Sequence, residues 1–162
     1  MIDVVEILPR GGFDPALAGD RLVLDHDLRL RRRIVFRSQG GAEIRLNQNK
    51  TVQLRDGDGL RLADGTILVV EAATEALMEI TAHSLPELVR IAWHLGNRHL
   101  PAQLLDHALR IREDHVIADM VHHLGGHCRK LSAPFDPEGG AYVGAAGHHG
   151  HGHAPHHHHA TS

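Results

Sequence analysis

Residues 77–131 read LMEITAHSLPELVRIAWHLGNRHLPAQLLDHALRIREDHVIADMVHHLGGHCRKL, and the order of patterns within them decides the fold of the C-terminal half. Leu77 to Ala82 has strand character. Ser84 then opens a helix, with Glu87 three residues on as a capping box and Pro86 tolerated in the first turn. Leu85, Leu88, Val89, Ala92 and Leu95 recur at helical spacing as the expected buried stripe, and Gly96-Asn97 supply the stop. Two strand-like runs, AQLLD and ALRIRE, come next. A second helix from about 115 to 124 and a short strand near Cys128 to Leu131 complete the set. Strand, helix, strand, strand, helix, strand is the order of the ferredoxin-like split βαβ unit.

Upstream, RLVLDHDLRL, RIVFRS, AEIRL and GLRLADGTILVV are short β runs cut by Gln39-Gly40-Gly41, Asp56-Gly57-Asp58-Gly59 and Ala63-Asp64-Gly65. Asp64-Gly65 between two apolar runs is the strongest hairpin signal in the chain. Downstream, the chain turns to Gly, Pro and His with no periodicity. It cannot bury enough apolar surface there to offset its ordering entropy. The expected fold class is therefore α+β: a small all-β domain over 1–76, a ferredoxin-like (βαββαβ) domain over 77–143, and a disordered His-rich tail over 144–162.

Composition narrows the function. A hydrophobic fraction of 42% over 162 residues suffices for real cores. Lys plus Arg (17) nearly balances Asp plus Glu (20), and aromatic residues are 3%, so neither a basic field nor a base-stacking surface is expected. Nucleic acid and membrane are set aside as partners. Cys128 is the sole cysteine, and neither a signal-peptide pattern nor a long apolar run is present, which points to the cytoplasm.

Histidine carries the chemical signal. Eight of the twelve residues from 148 to 159 are histidine: His148, His149, His151, His153, His156, His157, His158 and His159. Imidazole suits zinc, copper and nickel, and a Gly-spaced array lets several rings converge on one ion. Interruption by Gly and Pro, with Ala160-Thr161-Ser162 beyond, argues against an expression tag. Composition does not choose the metal, since affinity rises toward copper at almost any nitrogen site.

Nine histidines precede the tail. His26, His83 and His107 fall in turn-like or exposed positions, where a solvated imidazole is the default. His94 lies opposite the stripe of the first helix. His99 follows the helix stop and precedes Leu100-Pro101, a rigid non-helical position of the kind that carries functional side chains. In the second helix, Val116, Ile117, Met120, Val121 and Leu124 form the expected buried face, while His115, Asp119 and His122 share the other, with His123 at its border. His115 and His122 lie about 10 Å apart along the axis, too far to chelate alone. An ordinary polar face is the favoured reading of His122 and His123. His127 and Cys128, as strand neighbours, point to opposite faces, and Cys128 reads as a small buried apolar residue.

His94 to Gln103 (HLGNRHLPAQ) resembles the signature of the UreE family of urease accessory nickel chaperones. Asp114 to Met120, Leu54 to Leu60 with Ala63-Asp64-Gly65, and the His-rich tail support the resemblance. It implies a homodimer whose C-terminal domains meet near the two-fold axis, each with a β domain resembling a peptide-binding module. It implies that His99 gives one ligand from each subunit to a nickel ion on that axis, and that His115 is a secondary ligand. Relatives that use His115 so have a second histidine where this chain has Glu113. The implied partners are the urease accessory GTPase and the apo-urease assembly. The resulting expectation is a Ni(II) carrier rather than an enzyme, with Zn(II) or Cu(II) as further ions. The alternative is a cytosolic storage or buffering protein acting mainly through its tail. No H-E-x-x-H or G-x-S-x-G motif supports a hydrolase.

Overall fold

The computed structural model describes residues 1–139; the tail histidines 148–159 lie outside the described residues. Within that span the protein is mixed α+β, mostly strands, with three α-helices and two sheets.

The first half supplies β1 (Ile2–Leu8), β2 (Asp20–Leu24), β3 (Leu30–Arg37), β4 (Glu43–Gln53), β5 (Gly59–Leu62) and β6 (Ile67–Ala72), in the sheet order β2-β6-β5-β1-β4-β3. Pairs β1–β4 and β2–β6 are parallel, and the rest are antiparallel. Inward positions of these strands, among them Leu22, Phe36, Ile44, Leu46, Leu60, Leu62, Leu68 and Val70, form one apolar core. The expected hairpin is present: Gly65 takes φ 87°, and the Asp64 carboxylate accepts from the Thr66 amide at 2.9 Å. The run RLVLDHDLRL is not one strand. Asp25 caps a single helical turn, α1 (His26–Arg29), by accepting from the Leu28 amide at 2.8 Å, and this turn separates β2 from β3.

The second half runs β7 (Thr74–Thr81), α2 (Leu85–Asn97), β8 (Gln103–Leu104), β9 (Leu109–Arg112), α3 (His115–His123) and β10 (His127–Pro134), with sheet order β10-β7-β9-β8. Its strands are antiparallel throughout. Both helices pack on this sheet through Leu88, Ile91, Leu95, Ile117 and Val121 against Met78, Ile80, Leu109 and Ile111. The buried stripe of α2 is thus Leu88-Ile91-Leu95, not the wider set read from spacing. Leu85 and Val89 are exposed, 66% and 58%, and Trp93 joins them at 63%. Val116, expected inside, is also exposed, because α3 presents only Ile117 and Val121 fully to the sheet.

The halves are joined by the segment after β10. Arg29 is wholly buried, and its guanidinium donates to the carbonyls of Leu24 (3.3 Å), Leu54 (3.2 Å) and Phe135. Arg55 pairs with Asp136 at 2.7 Å, Gln53 donates to the Pro137 carbonyl at 3.3 Å, and the Glu138 amide donates to the Ala102 carbonyl at 2.8 Å. Residues 135–138 are therefore a strap lying between the halves. No described helix is long and apolar enough to cross a membrane.

Candidate metal centre

The end of α2 builds the site. Ser84 caps the start of that helix by accepting from the Glu87 amide at 3.4 Å, and the helix runs on through Gly96 and Asn97 to Arg98. The last helical residue is Asn97, about where the glycine placement suggests, but it is His99 that makes the stop. His99 has φ 55°, the one positive φ outside glycine among the described residues. Its amide donates to the Gly96 carbonyl at 3.0 Å, and the Leu100 amide reaches the Leu95 carbonyl at 3.4 Å. These two bonds make a Schellman turn, whose left-handed position is usually glycine. Leu100 packs against the core containing Leu95, which locks the turn from below. An L-residue there is strained by about 1 kcal/mol.

The exposed His99 ring borders an open cleft of 350 Å³ where the two halves meet. His26, Leu30 and Gln53 line it from the first half, and His99, Leu100, Pro101, Glu138 and Gly139 from the second. The strap therefore delivers the chain at Gly139 beside His99.

His26 corrects the sequence reading. It is 5% exposed rather than solvated, because α1 turns it under Phe135 of the strap, with ring centroids 5.6 Å apart. Its Nδ1 has no hydrogen-bond partner among the described residues. Burial, with the cations Arg29 and Arg112 nearby, holds its pKa below the usual histidine value. His26 is thus a buried imidazole at the back of the cleft, where its surroundings disfavour the protonated form.

The other candidates lie apart. His115 is exposed at the start of α3, and its neighbours are engaged: Asp114 caps α3 through the Val116 (2.9 Å) and Ile117 (3.1 Å) amides, and Glu113 is ion-paired with Lys130. His122 and His123 are exposed on the polar face of α3. Cys128 is half-buried, and burial pushes its thiol up. His94 is half-buried, edge-on to Trp93 at 5.0 Å. Among the described residues, no three His, Cys, Asp or Glu side chains are grouped to hold a metal ion. One pairing escaped the sequence reading altogether. His83 and His127, 44 residues apart, bring their Nε2 atoms to 3.2 Å. Only the pairing of His127 with Thr81 in β7 reveals it.

Comparison with known proteins gives this geometry a family. Residues 4–73 match the N-terminal domain of the UreE urease accessory protein, and residues 75–159 match its C-terminal domain. The chain belongs to the UreE family. A urease accessory protein UreE of Beijerinckia indica is 45% identical over 152 residues, covering 93% of this chain and 87% of the relative. That of Chelativorans sp. is 44% identical over 147 residues, 91% of each. That of Rhodopseudomonas palustris strain HaA2 is 53% identical over 128 residues, 79% of this chain but 60% of the longer relative. The division between the two family domains falls at residue 74, where β7 begins.

Proposed function

We propose that this UreE-family chain is a cytoplasmic Ni(II) carrier for urease maturation, with His99 as the anchoring ligand of its tightest site and no catalytic activity of its own. The observation that carries the reading is the strained, exposed His99 at the cleft into which the strap feeds Gly139. One exposed imidazole holds nickel weakly. The reading therefore adds a second His99 from another copy of the chain and imidazoles from the tail. Both additions have support. Leu85, Val89 and Trp93 form an exposed apolar stripe running along α2 toward the His99 turn, a surface suited to a homodimer of ferredoxin-like domains. Eight residues lie between Gly139 and His148, and such a length spans up to about 30 Å, so tail rings can reach His99.

His115 serves in this scheme as an outlying ligand, with Zn(II) and Cu(II) as competing ions. The β domain, with sheet edges at β2 and β3, is the proposed docking face for the urease accessory GTPase and apo-urease complex. A site of monodentate histidines releases its ion when a partner offers more ligands, which suits delivery better than storage. Nickel titration separates the two roles. His99→Ala should weaken the tightest site at least tenfold, whereas deletion of 147–162 should lower stoichiometry and leave that site present but weakened. An unchanged tightest site in His99→Ala, with binding abolished by the deletion, would establish buffering through the tail instead.

A further inference from the structure

His83 and His127 stand outside the site just described, at the opposite end of α2. His83 immediately precedes the cap Ser84, and His99 follows the last turn, so the helix holds the two about 20 Å apart. They cannot share an ion.

Both rings are exposed and their attachments are firm. His127 opens β10 and pairs in register with Thr81, the last residue of β7, two residues before His83. Immediately before His127, Gly126 packs so closely that a Cβ there would lie 2.6 Å from Ile91 and 2.7 Å from Val121. Ser84, on the other side, is held by its capping bond to the Glu87 amide. The backbone on both sides of the pair is thus fixed by strand pairing, tight packing and a helix cap.

The rings sit with centroids 4.9 Å apart and planes at 89°, and the Nε2 atoms are 3.2 Å from each other. Metal–imidazole bonds of about 2.0–2.1 Å place two ligands of one ion about 3.0 Å apart at an octahedral cis angle and about 3.4 Å apart at a tetrahedral one. The observed separation falls between these. No bond to another protein group engages either Nε2 among the described residues. We infer that His83 and His127 form a second metal site, a two-imidazole chelate for a divalent ion such as Ni(II), Cu(II) or Zn(II). Water fills the remaining positions on its open side. Two protein ligands make a site of moderate affinity and rapid exchange, independent of the His99 centre.

The rival account is a plain N–H···N hydrogen bond between the two rings, and a site-resolved titration of the full-length protein distinguishes them. Ni(II) is added while the ring Cε1–H signals of individual histidines are followed by NMR. The His83 and His127 signals should broaden together. In His83→Ala the His127 signal should persist to at least tenfold higher nickel, and in His127→Gln the His83 signal should do the same. His99 broadening should be unaltered in both variants. The inference is overturned if both rings of the wild type stay sharp while His99 broadens, or if either ring responds identically without its partner. Because His99 is read in the same spectra, loss of this site and loss of the His99 centre are separate results.

Discussion

The two long helices of the second half end in the same hydrogen-bonded turn and differ in the residue at its left-handed position. At the end of α3, Gly125 takes φ 84°, its amide donating to His122 (3.0 Å), while the Gly126 amide donates to Val121 (2.9 Å). At the end of α2, His99 occupies the corresponding position with φ 55°, and Leu100 takes the place of Gly126. One end uses the residue that local physics prefers. The other carries strain at a histidine that borders the cleft. The comparison teaches that one turn is closed without strain and the other with it, and under the proposed function the strained position is the one that carries the metal ligand.

Exchanging residues between the two ends tests this. The largest effect belongs to Gly126→Leu, which gives α3 the counterpart of Leu100. Its Cβ meets Ile91, Val121 and the Thr81 carbonyl at 2.6, 2.7 and 3.2 Å, so urea denaturation should show a loss of about 3 kcal/mol. A loss below half of that would mean the end of α3 yields easily. Next, Gly125→His should lose about 1–2 kcal/mol, since nothing crowds a Cβ there and only the positive φ is strained. His99→Gly should do the reverse and gain about 1 kcal/mol while weakening the tightest nickel site. If His99→Gly is neutral or destabilising, the turn is not strained and the contrast between the ends fails.

The smallest effect concerns the cleft's other histidine. The folded-state pKa of His26 lies below its unfolded value, so the unfolded chain takes up the additional proton first. Its contribution to stability is therefore complete above about pH 6.5 and declines as the pH falls through the depressed folded value. Urea midpoints measured from about pH 7.5 down to 5.5 should drop less in His26→Gln than in wild type. Parallel curves would show that His26 does not titrate on unfolding.

Much of this architecture is legible in the residues. Ser84, Asp64-Gly65 and the alternation of patterns from 77 to 131 locate the capped helix, the hairpin and the strand order, because each is a local preference obeyed. The exposure of Leu85, Val89 and Val116 is not legible, since an apolar residue beside a buried stripe looks the same whether it meets the sheet or solvent. The position of His26 depends on Phe135, more than 100 residues away, and its sequence neighbours are those of an exposed turn. His99 is singled out as a candidate by the residues around it, but its strain shows only in φ. The His83–His127 pair needs the register of β10 on β7, which no motif encodes.

The buried Arg29 also sets a boundary along the chain. Its three acceptors are carbonyls, with no carboxylate among them, and one belongs to Phe135. A chain cut before Phe135 would leave a desolvated cation short of an acceptor and the cleft without its strap. A chain altered only beyond Glu138 keeps every one of those bonds. The part of the chain held by these bonds thus ends within a few residues of Gly139, at the cleft beside His99.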